Sequence, residues 1–465
     1  MTVATSPAVQ TKPQAFTYVS RSAPPPAAVS GPTRITSIDA LRGFDMFWIM
    51  GPEIGHALVL GFAALILGGR EQVPQWLRYN LNHPQWTGFS AWDMIMPLFL
   101  FIVGVAMPFS VGRRLEEGAG RGAIYFKALR RVILLWILGL ISQGNLLDFR
   151  LDRLRLYSNT LQSIAAGYLI ATIVLVELRN WRWQIGVTAG LLVLYWACMA
   201  FIPFHGHRGE YTEQGNLGIL LDKAILNGWN YHWIVGGAIA AGVAIMIITV
   251  GTWRTSSARL SQKIVASAVV GALVLCMIIA AFRVDPNFVA DFQDRTTYAW
   301  ILASISFGAT VMMGVLAGQL LKSSLAGWTK VGILVAAGVG CLALGWGWNM
   351  IPTPMGMPII KHIWTSTMAL WAGGWSLLLL ALFFGVIDVI GFRAWSFVFI
   401  VIGANAILAY MANKLFNIRG IGTIWFGGLT KHFGKGADFG LTVLTFALMW
   451  AGMWFLYRKK VFLRV

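Results

Sequence analysis

WDMIMPLFLFIVGVAMPFSVGRR, residues 92–114, decides the fold. Between Asp93 and Arg113 no residue carries a charge, and Leu, Phe, Ile, Val and Met fill the run. A helix needs roughly 20 mainly apolar residues to cross a bilayer. This run has that length, with a carboxylate at one mouth and two guanidinium groups at the other. Working outward with the same ruler gives about twelve candidate spans. They cover 40–68, 92–112, 129–144, 160–177, 185–203, 233–251, 264–282, 299–321, 331–348, 366–387, 395–413 and 439–457. The expectation is an all-α, polytopic membrane protein with one helical bundle over 37–457.

Composition agrees. Hydrophobic residues make up 57% of the chain and charged residues 12%, which excludes an ordinary soluble domain. The 51 glycines suit close helix packing in lipid. The formal net charge of +18 does not call for nucleic acid as a partner, because its distribution follows the positive-inside rule. Arg113, Arg114, Arg121, Lys127, Arg130 and Arg131 crowd what reads as one short loop after the second span, and Arg458, Lys459, Lys460 and Arg464 form a basic tail over 458–465. Both termini are therefore expected in the cytosol. Residues 1–36, rich in Ala, Pro, Ser and Thr, have no apolar core of a signal peptide and read as a disordered cytosolic tail. Cys198, Cys276 and Cys341 all fall in apolar runs and suggest neither a disulfide framework nor a metal site. The absence of any Asn-x-Ser/Thr sequon favours a bacterial inner membrane.

The polar residues inside this hydrocarbon carry the functional question. Asp39 and Arg42 lie three apart, on one face of the first span. Asp45 and Glu53 sit deeper, and Pro52 marks a break in that span. In LNHPQWTGFSAWD, Pro84 and Gly88 prevent a helix from running from His83 to Asp93, so His83 rides on a turn. Asp93 then opens the next helix, where the helix dipole alone would favour a carboxylate. Trp86 belongs to an interfacial aromatic belt with Trp76 and Tyr79. Gln162, Lys361 and Asn405 place further polar groups at or within later spans. Any one of them reads equally as interhelical glue or as an anchor.

Five blocks, SIDALRGFDMF (37–47), HPQWTGFSAWDMIMPLFLFIVGVAM (83–107), LQSIAAGY (161–168), PIIKHIWTSTMALWAGGWS (358–376) and IGANAILAY (402–410), resemble in order the motifs of the heparan-α-glucosaminide N-acetyltransferase family of transmembrane acyltransferases. The resemblance implies an acetyltransferase that takes the acetyl group from cytosolic acetyl-CoA and passes it to the amine of an amino sugar beyond the membrane. It implies His83 as the catalytic base or acetyl carrier and Asp93 as its acidic partner. Arg113, Arg114, Lys127, Arg130 and Arg131, with Asp39 and Arg42, are then the expected acetyl-CoA contacts. Trp86, Glu53, Gln162, Lys361 and Asn405 are the expected acceptor contacts. Glu53 stands where the family carries an asparagine, and the two spans within 233–282 have no counterpart in its pattern. No metal is expected, and a homodimer is compatible with such a bundle. The rival expectations are a twelve-helix solute or glycan transporter and a membrane scaffold without chemistry.

Overall fold

The apolar run at 92–112 extends into one helical stretch, Ala91–Glu116 (α4), in a computed structural model of the chain. The structure describes residues 35–50, 54–143, 155–204, 206–226 and 298–463, with scattered positions in between 226 and 298. The stretch enters through a 3-10 turn at Ala91–Met94 and runs as α-helix over Ile95–Met107. It then widens into a π turn at Pro108–Gly112. Pro108 has no N–H to give, so the ladder loosens where it sits.

The remaining helices are α1 (Thr36–Ile49), α2 (Ile54–Leu67), α3 (Gln75–Asn80), α5 (Arg121–Ser142), α6 (Thr160–Glu177), α7 (Trp181–Phe201), α8 (Leu217–Leu226), α9 (Ala303–Lys322), α10 (Gly327–Met350), α11 (Ser366–Val389), α12 (Phe397–Ala404), α13 (Ala406–Leu415), α14 (Ile418–Thr430) and α15 (Ala437–Arg458). One two-residue antiparallel pairing, Trp229–Asn230 with Val289–Ala290, joins the ends of the partly described 227–297 segment. Among the described residues seven helices are long and apolar enough to cross a membrane, and up to eight if the bent pair α12–α13 counts as one span. The protein is thus an all-helical membrane protein.

Several spans differ from expectation, each for a readable reason. The first, at 40–68, is two helices, α1 and α2, ending and restarting on either side of Pro52. The apolar block expected at 395–413 bends by 68° at Asn405. The span expected at 129–144 belongs to α5, which starts eight residues earlier and carries Arg121, Lys127, Arg130 and Arg131 in its first turns. Those cations keep α5 out of the set apolar enough to cross. They also correct the expected basic loop: Arg113 and Arg114 end α4, and Lys127, Arg130 and Arg131 share one face of α5 at i, i+3, i+4 spacing. Lys and Arg are good helix formers, so a basic run need not be a loop. The spans expected at 233–251 and 264–282, the tail at 1–36 and Glu53 lie almost wholly outside the described residues.

The helices share two ends. At one end Thr36 N–H and Ser37 N–H donate to Asp388 at 3.2 and 3.0 Å. Lys322 pairs with Glu116 at 2.6 Å and Arg121 with Glu177 at 2.8 Å at that same end. The opposite end gathers the starts of α4, α6, α9 and α11. Twenty residues at about 1.5 Å each separate Asp93 from Arg113, so the two ends lie about 30 Å apart, a hydrocarbon thickness. In the core α4 lies directly on α9. A Cβ at Gly104 would meet the carbonyl of Val311, and one at Gly314 would overlap the carbonyl of Phe101. Only glycine lets these two backbones touch.

Candidate functional site

The turn carrying His83 and the turn carrying Lys361 are stitched together at the opposite end. Gly88 N–H donates to the carbonyl of Ile359 at 3.0 Å, with Gly88 at φ +116°. Trp86 stacks on His362 with ring centroids 5.2 Å apart, and its Nε1–H donates to the carbonyl of Tyr211 at 2.8 Å. The Lys361 turn is itself tight. Trp364 N–H donates to Lys361 O at 3.0 Å and Thr365 N–H to Ile360 O at 3.2 Å, with Trp364 in the left-handed region at φ +49°. The Thr365 hydroxyl then accepts from Met368 N–H and starts α11. Two segments nearly 280 residues apart (278) are therefore held at fixed spacing.

Between them sits the cluster. Asp93 Oδ2 accepts from Ser90 N–H at 3.1 Å and the Ser90 hydroxyl at 3.3 Å, a capping box that opens α4. Asp93 Oδ1 lies 2.6 Å from His83 Nδ1 and 3.0 Å from Lys361 Nζ. The two readings of Asp93, helix cap and histidine partner, are both realised, one on each oxygen. Asp93 is 1% exposed and Lys361 9%, so this ion pair is nearly dry. Burial, opposed by the Asp93 charge, holds the Lys361 amine below its usual range. His83 is the more open member, its side chain 42% exposed.

An oxygen this close to Lys361 is an ionised acceptor, so His83 Nδ1 carries the proton and donates it to Asp93. The 3.3 Å approach of Lys361 Nζ to His83 Nδ1 is then two donors meeting on one acceptor rather than a bond between them. This tautomer leaves the Nε2 lone pair for chemistry: a base or a nucleophile with an oriented ring.

His83 and Lys361 line a cavity of about 420 Å³. That volume is in the small-molecule range of roughly 300–1,000 Å³. Its walls are Met46 and Ile49 from α1, Trp92, Ile95, Met96 and Phe99 from α4, and Arg155, Ser158 and Asn159 ahead of α6. Tyr298 and Trp300 precede α9 on the far wall, and Tyr410 and Lys414 come from α13. His362 stands behind Tyr298, ring centroids 4.5 Å apart, and burial with the neighbouring Lys361 cation pushes it down to about 4, so it stays neutral.

Other expected positions fall elsewhere. Gln162 is fully buried and binds Ser158 N–H and Leu156 O, fixing the loop that lines the cavity without itself lining it. Asn405 bridges Val461 O and Leu463 N–H, tying the bend at α12–α13 to the end of the chain. Trp86 braces the His362 turn and is outside the cavity wall. Asp39 and Arg42 pair at 3.8 Å at the distant end of α1. Arg113 pairs with Glu117 at 3.3 Å, and the Arg131 guanidinium lies 4.5 Å over the Tyr168 ring. None of Arg113, Arg114, Lys127, Arg130 and Arg131 lines the cavity. Among the described residues no group of three His, Cys, Asp or Glu side chains is arranged to hold a metal. Tyr298, Trp300, Arg155, Tyr410 and Lys414 escaped sequence reasoning: they come from separate parts of the chain and gain meaning only where the helix ends converge. No family model matches the sequence, and neither does any curated protein.

Proposed function

We propose that this chain is an integral membrane acetyltransferase that moves an acetyl group from cytosolic acetyl-CoA to the amine of an extracytoplasmic amino sugar. The observation that carries the reading is the His83–Asp93–Lys361 cluster opening on the cavity. In this reading the chain has about twelve spans, lies in a bacterial inner membrane with both termini in the cytosol, and has its cavity on the outer side. The family resemblance of the five blocks supports the same assignment.

The amine nitrogen attacks the thioester carbonyl and the C–N bond forms. His83 Nε2 takes the proton that the new bond makes acidic. As the tetrahedral intermediate collapses the C–S bond breaks, and the proton passes to the departing sulfur, giving amide and free thiol. In the two-step variant Nε2 itself attacks the thioester and the C–S bond breaks to release the CoA thiolate. The sugar amine then attacks the acetyl-imidazole, the bond from the acetyl carbon to Nε2 breaks, and the amine proton is taken up by Nε2 as it leaves. Asp93 holds the ring and offsets the charge on the imidazolium in either case. Trp92, Tyr298 and Trp300 offer flat apolar faces for a sugar ring. The cationic end of the bundle, about 30 Å away, suits the phosphates of CoA, with Arg113, Arg114, Lys127, Arg130 and Arg131 as their contacts and the Asp39–Arg42 pair nearby. The pantetheine arm then threads between helices towards His83. Trp86, Gln162 and Asn405 support the acceptor site from behind, Lys361 borders it, and Glu53 remains an acceptor contact of this proposal.

A second reading, a solute or glycan transporter, draws on the bent pair at Asn405 and on Asp45. That carboxyl is 1% exposed, and among the described residues neither of its oxygens has a hydrogen-bond partner. Broken helices and lone acids mark transport pathways. Purified protein given labelled acetyl-CoA and glucosamine separates the two readings. N-acetylglucosamine formed by the wild type and lost in His83→Ala supports the enzyme. No product, with solute accumulation in proteoliposomes lacking CoA, replaces it with the transporter.

A further inference from the structure

Tyr298 and Trp300 wall the cavity, yet little in their own side chains fixes them. Among the described residues the buried indole Nε1–H of Trp300 has no hydrogen-bond partner, so the ring is held by packing against Tyr298, Tyr157 and Phe307 and by its backbone. That backbone is anchored from α8. Asp222 accepts from Trp300 N–H at 2.7 Å and from Ile301 N–H at 3.1 Å, through one oxygen each. One residue earlier, Ala299 N–H donates to His362 O at 2.9 Å, so the anchored segment also braces the turn that presents Lys361 to Asp93. We propose that Asp222 is a positioning residue for the cavity: its ionised carboxylate clamps the 298–301 segment, and protonation loosens the wall. The inference deepens the acetyltransferase reading, since it gives α8 a part in the same site.

The surroundings make the clamp sensitive to pH. Asp222 is fully buried at the residue level. Burial pushes its carboxyl up to about 7, against the pull of the two amides. Facing it are the rings of Tyr195 from α7 and Tyr157 ahead of α6, the latter held neutral by burial, with Lys223 next along α8. Among the described residues no cation offsets its charge. Hydrogen bonds to a carboxylate are roughly twice as strong as those to a neutral acid, so the clamp is tight above about pH 7 and slack below.

Hydrogen exchange of the peptide covering 298–304, read on the full chain in detergent at pH 8 and pH 6 and corrected for intrinsic rates, tests this. Protection is expected to fall about tenfold at the lower pH. Asp222→Asn, isosteric but neutral, is expected to show the low level at both, and a higher acceptor KM at pH 8 with kcat changed less. Equal protection of the wild type at the two pH values overturns the inference, and that comparison needs no variant to fold. An exchange difference without any acetyl transfer keeps the clamp and overturns only the proposed reaction.

Discussion

His83 and Lys361 meet on a single oxygen of Asp93, at 2.6 and 3.0 Å. The carboxylate therefore serves two donors at once, and each restrains the other. With Lys361 drawing on the same oxygen, the carboxylate that aims the ring is itself held in place.

In the proposed reaction, loss of the imidazole removes the proton acceptor. His83→Ala is expected to lower kcat by about 10²–10⁴ while folding and acetyl-CoA binding survive, since the side chain is 42% exposed and caps nothing. Turnover of labelled acetyl-CoA with glucosamine measures it, and retained activity removes His83 from the mechanism.

The Asp93–Lys361 pair is a stability element as well. Lys361→Met leaves a carboxylate buried with fewer donors, and a broken buried pair costs about 3–5 kcal/mol. The double variant Asp93→Asn with Lys361→Met is expected to cost less than the sum of the two singles. Thermal unfolding in one detergent measures all three, and strict additivity would show that the two groups do not interact.

Arg113 and Arg114 lie at the far end of α4, and the exposed Arg113–Glu117 pair contributes little to stability. Replacing both arginines by glutamine is expected to raise the acetyl-CoA KM several-fold with the acceptor KM unchanged. An unaltered acetyl-CoA dependence would leave these residues with a role in topology alone.

Gly314→Val forces a side chain into the Phe101 carbonyl on α4. Loss of folded protein on size-exclusion chromatography is expected, whereas Gly332→Ala on α10, where a Cβ meets open space, is expected to be tolerated.

Gln85 is exposed beside the cavity turn. A cysteine introduced there is expected to react with an impermeant reagent added to intact cells. Labelling only after lysis would invert the proposed orientation.

The apolar runs were legible because a bilayer demands length and composition together. Helix α6 spans Thr160–Glu177, as its hydrocarbon predicted. The breaks were half legible: Pro52 announces one, while Asn405 gives no local signal for a 68° bend. The basic run after α4 was misplaced into a loop because charge distribution speaks of side, and helix propensity had to be weighed separately. His83 and Asp93 were legible as neighbours across a turn. Lys361 was legible as a polar residue at a helix mouth, but its meeting with Asp93 is a tertiary fact that no spacing contains. Asp222 and Trp300 were hidden still more deeply, since neither falls in any of the five resembling blocks.

Ser90 and Asp93 close the helix start and aim the ring with the same carboxylate. The position therefore has almost no room for neutral drift. Glutamate would push the oxygen a bond length past its two donors, and asparagine would offer an amide where a full charge is required. In the proposed reaction the helix start and the aim of the ring depend on one side chain, so a change that suits the one must be compensated for the other.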